Sequence, residues 1–450
     1  MAFARETAFL AELFQSIAGR SARMIGMSGG NGRDGAEALA GRLMSSQGEA
    51  SGVALAERLL HAYAAMDDAA RLRWFEVLAS DYGPDEAALS DAVAAWRTAP
   101  GQAAAARLHD ASEPRRQELF RRINLAPGGT AMLVEMRAAM LALLPGHPEF
   151  APVDADFVHL FASWFNRGFL LLRRIDWSSP ADLLEKIIRY EAVHEIDGFE
   201  DLRRRVAPPD RRCFGFFHPQ MPDDPLIFVE VALTRGVASS ITALLDVDRP
   251  VLDPAEADTA VFYSISNTQA GLRGISFGNF LIKQVVDELA HDAPNLKTFA
   301  TLSPLPGFAR WLREAGLPEA LARDDWQDDP EAAAALAPEL ATAAAHYLVE
   351  AKNGHGKPLD PVARFHLGNG ASLDRIDPFA DRSPRGLDQS FGVMVNYRYD
   401  RASIEKNHEA YAATGTIACS SAVRRLAAST LPQSRPGTAT PPNSKADTSP

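Results

Sequence analysis

Cysteine is nearly absent from the 450 residues: Cys213 and Cys419 are the only two. They are too few and too far apart for a disulfide framework or for the paired spacing of a zinc site. That scarcity fits a reducing compartment, and a cytoplasmic location is expected. Positive charge is short as well. Forty-six Lys and Arg stand against 58 Asp and Glu, a net charge of −12, whereas a nucleic-acid binder carries a basic stripe and a protein held on an anionic membrane a basic patch. No apolar run approaches the ~20 residues that span a bilayer, so neither a nucleic acid nor a membrane is expected as a partner. The first residues lack a charged segment followed by an apolar one and a small-residue cleavage site, so no secretory signal is expected. Any anionic ligand must be held by a local site.

What is present is an ordinary globular composition, 46% hydrophobic, long enough at ~150 residues per domain for two or three domains. Through residue 189 the chain is rich in Ala, Leu, Arg and Glu. Apolar residues recur three and four apart, as in Leu55-Leu59-Leu60 and Met132-Met136-Met140, which predicts a helical bundle. Gly83-Pro84, Pro100-Gly101, Pro127-Gly128-Gly129 and Pro145-Gly146 divide it into six to eight helices. Its histidines, His61, His109, His147 and His159, form no catalytic pattern.

From residue 190 to 430 the texture changes to short runs rich in β-branched and aromatic residues: Cys213–Phe217, Leu226–Leu233, Ala260–Ser266, Leu296–Leu302 and Val393–Tyr397. These predict strands. An amphipathic helix is predicted between the third and fourth, with Leu281, Val285 and Leu289 on one face, and a further helix over 331–351. The last segment, 431–450, holds five Pro and six Ser or Thr and is expected to be disordered.

The most informative local feature joins the strand ending near Ser266 to the amphipathic helix. Gly271, Gly274 and Gly278 fall in this connection. Glycines there let backbone N–H groups turn into a concavity at a helix N-terminus, a setting for pyrophosphate. The Gly-Lys-Ser/Thr of a P-loop is missing and the spacing is not Gly-x-Gly-x-x-Gly. Taken alone, the turn is equally compatible with a tight connection that binds nothing.

Arg273-Gly274-Ile275-Ser276-Phe277-Gly278 resembles the acyl-CoA-binding turn of the GNAT acyltransferase fold, with Ser276 replacing the first of the paired glycines. A longer ordered set is similar to the malonyl-CoA decarboxylase family. It comprises Phe262-Tyr263-Ser264-Ile265-Ser266 with Thr268-Gln269, Phe280-Leu281-Ile282-Lys283, Leu302-Ser303-Pro304-Leu305-Pro306-Gly307-Phe308, Phe365-His366-Leu367-Gly368-Asn369-Gly370-Ala371, Met394-Val395-Asn396-Tyr397 and Asn407-His408-Glu409 with Tyr411. The resemblance implies an α+β protein: an all-α helical domain over 1–189 that mediates self-association into a homotetramer, then a GNAT-like α/β domain over 190–430 with a mixed, mainly antiparallel sheet. It implies malonyl-CoA and acetyl-CoA as ligands and maps a catalytic serine onto Ser303 and a catalytic histidine onto His408. Arg273, Gly274, Ile275, Ser276, Phe277, Gly278 and Asn279 would bind the substrate. His366, Asn369, Asn396 and Tyr411 are further candidates for the cleft.

Loss of CO2 from a malonyl thioester leaves an enolate, so such a site needs donors for the thioester oxygen and an acid for the carbon. No metal or organic cofactor is expected, because the thioester is itself the electron sink. Without the resemblance, Ser303 before Pro304 reads as a turn residue and His408 as part of a polar helix start. A hydrolase is disfavoured by the absence of Gly-x-Ser-x-Gly. A CoA-dependent acyltransferase of the GNAT type is the alternative activity.

Overall fold

The structure is a computed structural model that describes residues 35–45, 48–275, 277, 281–316, 321, 325–327 and 329–429. The expected disordered segment 431–450 lies outside the described residues, as do Ser276, Gly278 and Asn279.

Glycine and proline punctuate the N-terminal part into eight α-helices among the described residues: α1 (Ala36–Ser45), α2 (Glu49–Ala64), α3 (Asp68–Ser80), α4 (Glu86–Thr98), α5 (Gln102–Ser112), α6 (Arg115–Asn124), α7 (Gly129–Leu143) and α8 (Ala151–Trp164). Aspartates start two of them. The Asp67 carboxylate accepts from the Ala70 N–H at 2.8 Å, and Asp85 from Ala87 and Ala88 at 3.0 Å, satisfying donors that a first helical turn leaves unpaired. Inside the bundle, Arg116 and Asp156 form a buried ion pair, and the Gln117 side chain donates to the other Asp156 oxygen at 2.6 Å.

The C-terminal part carries strands β1 (Leu171–Ile175), β2 (Arg211–His218), β3 (Met221–Thr234), β4 (Thr259–Asn267), β5 (Thr298–Thr301), β6 (Ser303–Pro304), β7 (Ser372–Asp377) and β8 (Met394–Arg398). They form one sheet in the order β1-β2-β3-β4-β5-β8-β6, with β7 also on β8. Only β4 and β5 run parallel; the other pairings are antiparallel. The sheet begins at Leu171, inside the stretch read as wholly helical, because Leu171-Leu-Arg-Arg-Ile pairs along the edge of β2. Around the sheet lie α9 (Ala181–Tyr190), α10 (Gly198–Val206), α11 (Ile241–Leu245), α12 (Leu281–Asp292), α13 (Phe308–Ala315), α14 (Pro330–Val349), α15 (Pro361–Gly368), α16 (Pro384–Ser390), α17 (Ile404–Thr414) and α18 (Ser421–Ala427). The expected mixed, mainly antiparallel sheet behind a helical region is therefore present.

Apolar burial joins the two parts. Leu59, Phe75, Phe120, Phe157 and Phe161 of the bundle share one contiguous core with Phe216, Val229, Phe262 and Val285 of the sheet region. The opposite face of β2 is covered separately by α9 and α10, through Leu183, Leu184, Ile187 and Leu202. No helix among the described residues is long and apolar enough to cross a membrane.

Replacing Asp156 by Ala leaves the Arg116 guanidinium, only 4% exposed, without its counter-charge. Removing one member of a buried pair costs about 3–5 kcal/mol. Urea denaturation of Asp156→Ala should show that loss, and a change under about 1 kcal/mol would mean that the pair is effectively solvated.

Candidate active site

Parallel pairing of β4 with β5 ends at Phe262 and Thr301. β4 continues to Asn267, whereas the chain after β5 turns away and Ser303 pairs with Val395 of β8. The two strands part at this point. Ser303 stands where they separate, at the start of β6 and 5% exposed.

Its hydroxyl donates to the Thr301 Oγ1 at 2.8 Å and lies 3.0 Å from the His366 Nε2. The His366 Nδ1 is in turn 2.8 Å from the Tyr399 hydroxyl. A serine hydroxyl has one proton. With that proton directed at Thr301, the Ser303 oxygen accepts from His366, which therefore carries its proton on Nε2 and receives the Tyr399 O–H on Nδ1. The resulting chain runs Tyr399 to His366 to Ser303 to Thr301. Thr301 is held from a second side by the Tyr397 N–H at 3.1 Å. The imidazole stacks on the Tyr397 ring at 4.4 Å between centroids.

Burial sets the protonation states. His366 is 2% exposed, and desolvation pulls its pKa down to about 3, because the charged imidazolium loses its hydration there. The same cause raises the Tyr399 phenol well above its ordinary value. Both groups are thus neutral and hold their protons at physiological pH.

The helix carrying His366 begins cleanly. Asp360 accepts from the Ala363 N–H at 2.7 Å and Pro361 opens the first turn, the arrangement expected of an N-cap followed by proline. Its residues Arg364, Phe365 and Asn369 line one side of a cavity of about 520 Å³. The other side is formed by Asn267 to Ala270 and by Leu272, Arg273, Gly274, Ile275 and Phe277. The glycine-bearing turn and the His366 helix therefore face each other across one space. Gly274 adopts φ +79°, a left-handed conformation suited to glycine.

Of the expected substrate-binding residues, Arg273, Gly274, Ile275 and Phe277 line this cavity; Ser276, Gly278 and Asn279 are outside the described residues. Asn369 lines it as well, with its side-chain amide on the Phe365 carbonyl at 2.8 Å. The expected pairing of Ser303 with His408 is corrected: the imidazole on the Ser303 hydroxyl belongs to His366. His408, on α17, makes a 2.7 Å contact through Nδ1 to the Gly368 carbonyl. It thereby steadies the C-terminal end of the helix that carries His366. Asn396 donates to the Thr301 and Ala238 carbonyls at 2.7 and 3.1 Å, tying β8 to the end of β5. Tyr411 is buried, and its hydroxyl has no hydrogen-bond partner among the described residues.

Thr301, Arg364, Phe365 and Tyr399 were not anticipated. A signal existed for Tyr399: in Asn396-Tyr397-Arg398-Tyr399, alternation puts Tyr397 and Tyr399 on one face of an extended chain. Among the described residues no group of three or more His, Cys, Asp or Glu side chains is placed to hold a metal ion.

Comparison with known proteins adds to this geometry. The family model of the malonyl-CoA decarboxylase C-terminal domain matches residues 168–436, and that of the N-terminal domain residues 82–165. The mitochondrial malonyl-CoA decarboxylase of Anser anser anser is 38% identical over 348 residues, covering 69% of each chain. That of Rattus norvegicus is 37% identical over 362 residues, covering 72% of this chain and 73% of the relative. The crystal structure of malonyl-CoA decarboxylase from Rhodopseudomonas palustris superposes with a TM-score of 0.83 at 56% identity, covering 87% of this chain and 98% of that one. The enzyme from Agrobacterium vitis gives 0.83 at 50% identity, covering 88% and 100%.

The low pKa of His366 has a consequence for stability. The unfolded chain takes up a proton on this residue below about pH 6.5, whereas the folded protein refuses it until about pH 3. The stabilisation is complete above the unfolded value and is lost as the pH falls through that window. Between pH 7 and 5 the His366→Gln variant should show a dependence of unfolding free energy about 2 kcal/mol flatter than wild type in urea melts. Equal slopes would mean that the imidazole is solvated.

Proposed function

The chain belongs to the malonyl-CoA decarboxylase family, and from that premise we propose that it converts malonyl-CoA to acetyl-CoA and CO2. The observation that carries this reading is the Tyr399–His366–Ser303 chain, whose histidine sits on the helix that also supplies Arg364, Phe365 and Asn369 to the cavity lined by the Arg273–Gly274 turn. The nucleotide end of the substrate would lie at the turn, where Arg273 and Arg364 supply positive charge. The thioester would reach past Phe365 toward the parting of β4 and β5.

Cleavage of the bond between the methylene carbon and the carboxylate leaves its electron pair in the thioester enolate and releases neutral CO2. Leu226, Ile227, Leu272, Ile275 and Phe365 give the cavity an apolar wall, against which a carboxylate loses hydration while CO2 does not suffer. The Ser303 hydroxyl then turns from Thr301 and gives its proton to the enolate carbon. The serine oxygen is refilled from the His366 Nε2–H, and Nδ1 takes the Tyr399 proton, leaving a phenolate that is reprotonated from water. A phenolate is a far weaker base than a thioester enolate, so the transfer runs downhill. This direction of proton flow differs from that of a serine hydrolase, in which the histidine removes the serine proton.

The alternative, transfer of the acyl group from CoA to an amine, needs a base to deprotonate the acceptor. His366 does not offer one, since one ring nitrogen carries the proton and the other is occupied by Tyr399. Self-association into a homotetramer through the helical part is also proposed. It is supported by the α4–α5 hairpin, in which α5 buries no residue and Trp96 remains 38% exposed over a groove with Ala105 and Leu108. Sedimentation would measure it, and a monomer at micromolar concentration would refute it.

Purified protein given malonyl-CoA alone should release CO2 and form acetyl-CoA. Acyl transfer that appears only when an amine is added would favour the alternative. His366→Asn should lower kcat about 10²–10⁴-fold, the usual contribution of a positioned acid, with CoA affinity retained. His408→Ala removes the contact that steadies the end of the His366 helix and should cost less than about tenfold. The reverse ranking in steady-state assays would restore His408 to the reacting group.

A further inference from the structure

The helical part reaches into the turn. Arg137 on α7 is 3% exposed, and its Nη1 donates to the carbonyls of Gly271 at 2.7 Å and Arg273 at 2.9 Å. Its Nε is held by Asp154 at 2.8 Å, so the guanidinium is fixed in direction. The turn rests directly on α7: a Cβ on Gly271 would lie 1.8 Å from the Val134 carbonyl oxygen, so only glycine permits this approach.

A peptide unit is planar and trans, with its C=O and N–H pointing in opposite directions, and there is no cis bond among the described residues. Turning the Arg273 carbonyl toward Arg137 therefore sends the Gly274 N–H the other way. That N–H makes no hydrogen bond among the described residues, and Gly274 lines the cavity. The neighbouring donors are already used: the Leu272, Arg273 and Ile275 N–H groups donate to Gln269, Ala270 and Leu272 carbonyls at 3.0 to 3.1 Å. Gly274 thus offers a backbone donor to a ligand, and a cation behind the turn decides where it points.

We propose that Arg137 is a positioning residue for the phosphates of the substrate: from the helical domain it orients the 273–274 peptide so that the Gly274 N–H meets the pyrophosphate. The helical half then contributes to substrate affinity as well as to scaffolding. This inference rests on the malonyl-CoA reading of the cavity. Arg137 itself does not touch the reacting atoms, so its effect belongs in binding of the nucleotide end and not in the decarboxylation step.

The test compares malonyl-CoA with malonyl-N-acetylcysteamine, a thioester that lacks the nucleotide and its phosphates. Arg137→Met and Arg137→Lys are assayed on both. For Arg137→Met, kcat/KM on malonyl-CoA should fall tenfold or more through KM, in keeping with loss of charge-assisted hydrogen bonds, while kcat/KM on the short thioester changes less than twofold. Arg137→Lys, which keeps a donor and the charge, should recover part of the loss. Equal losses on both substrates, or none on malonyl-CoA, would overturn the proposal. Should Arg137→Met fail to fold, the lysine variant decides alone: a selective loss of threefold or more on malonyl-CoA supports the assignment, and an unchanged ratio of the two substrates refutes it. Wild-type protein inactive on both thioesters would instead refute the activity itself.

Discussion

Four residue pairs of parallel strand, ending at Phe262 and Thr301, govern the arrangement of everything around them. A parallel pair cannot be closed by a hairpin and needs a crossover, which α12 supplies. The connection that feeds α12 therefore begins at the end of β4, and the glycine-bearing turn lies there. Beyond Phe262, β4 continues without β5 beside it, because the chain after Thr301 is drawn to β8 through the Ser303–Val395 pairing. One interruption of hydrogen bonding thus parts the two strands and places a serine hydroxyl where they separate.

Polar order at this edge comes from proton accounting in a dry setting. Thr301, Ser303, His366 and Tyr399 are each at most 5% exposed, so each hydroxyl or ring nitrogen must find a protein partner. A single proton on Ser303, spent on Thr301, fixes the histidine tautomer and makes Tyr399 the donor at the far end. Desolvation keeps the imidazole neutral, which suits delivery of a proton to carbon and removes the free base that acyl transfer to an amine would require. For a chain with net charge −12, the proposed polyanionic ligand would meet a local attraction, supplied by Arg273, Arg364, a backbone donor and the cation behind it.

The two halves were distinguishable in the sequence, but their mutual dependence was not. Helical periodicity and the Gly-Pro breaks reveal the bundle, and the β-rich runs reveal β2, β3, β4, β5 and β8. The short or charged strands β1, β6 and β7 escaped notice because Ser303-Pro304 is only two residues and Leu171-Leu-Arg-Arg-Ile has no period-two pattern. The continuous core from Phe120 and Phe157 to Phe262, and the Arg137 contact to the turn, join residues more than a hundred positions apart. Periodicity carries no information about such pairs.

The histidines mark the boundary most clearly. Residue types, ordered motifs and the glycine turn were sufficient to establish the kind of protein and to point to Ser303, because those depend on local chemistry and on a recognisable succession of short segments. Which imidazole meets the Ser303 hydroxyl depends instead on how α15 and α17 dock on β8 and β5. His366 and His408 are both polar residues on short helices, and nothing in their neighbourhoods along the chain separates them. Packing assigns His366 to the serine and His408 to the Gly368 carbonyl, since a hydrogen bond is decided by distances of a few ångströms that only the assembled chain defines.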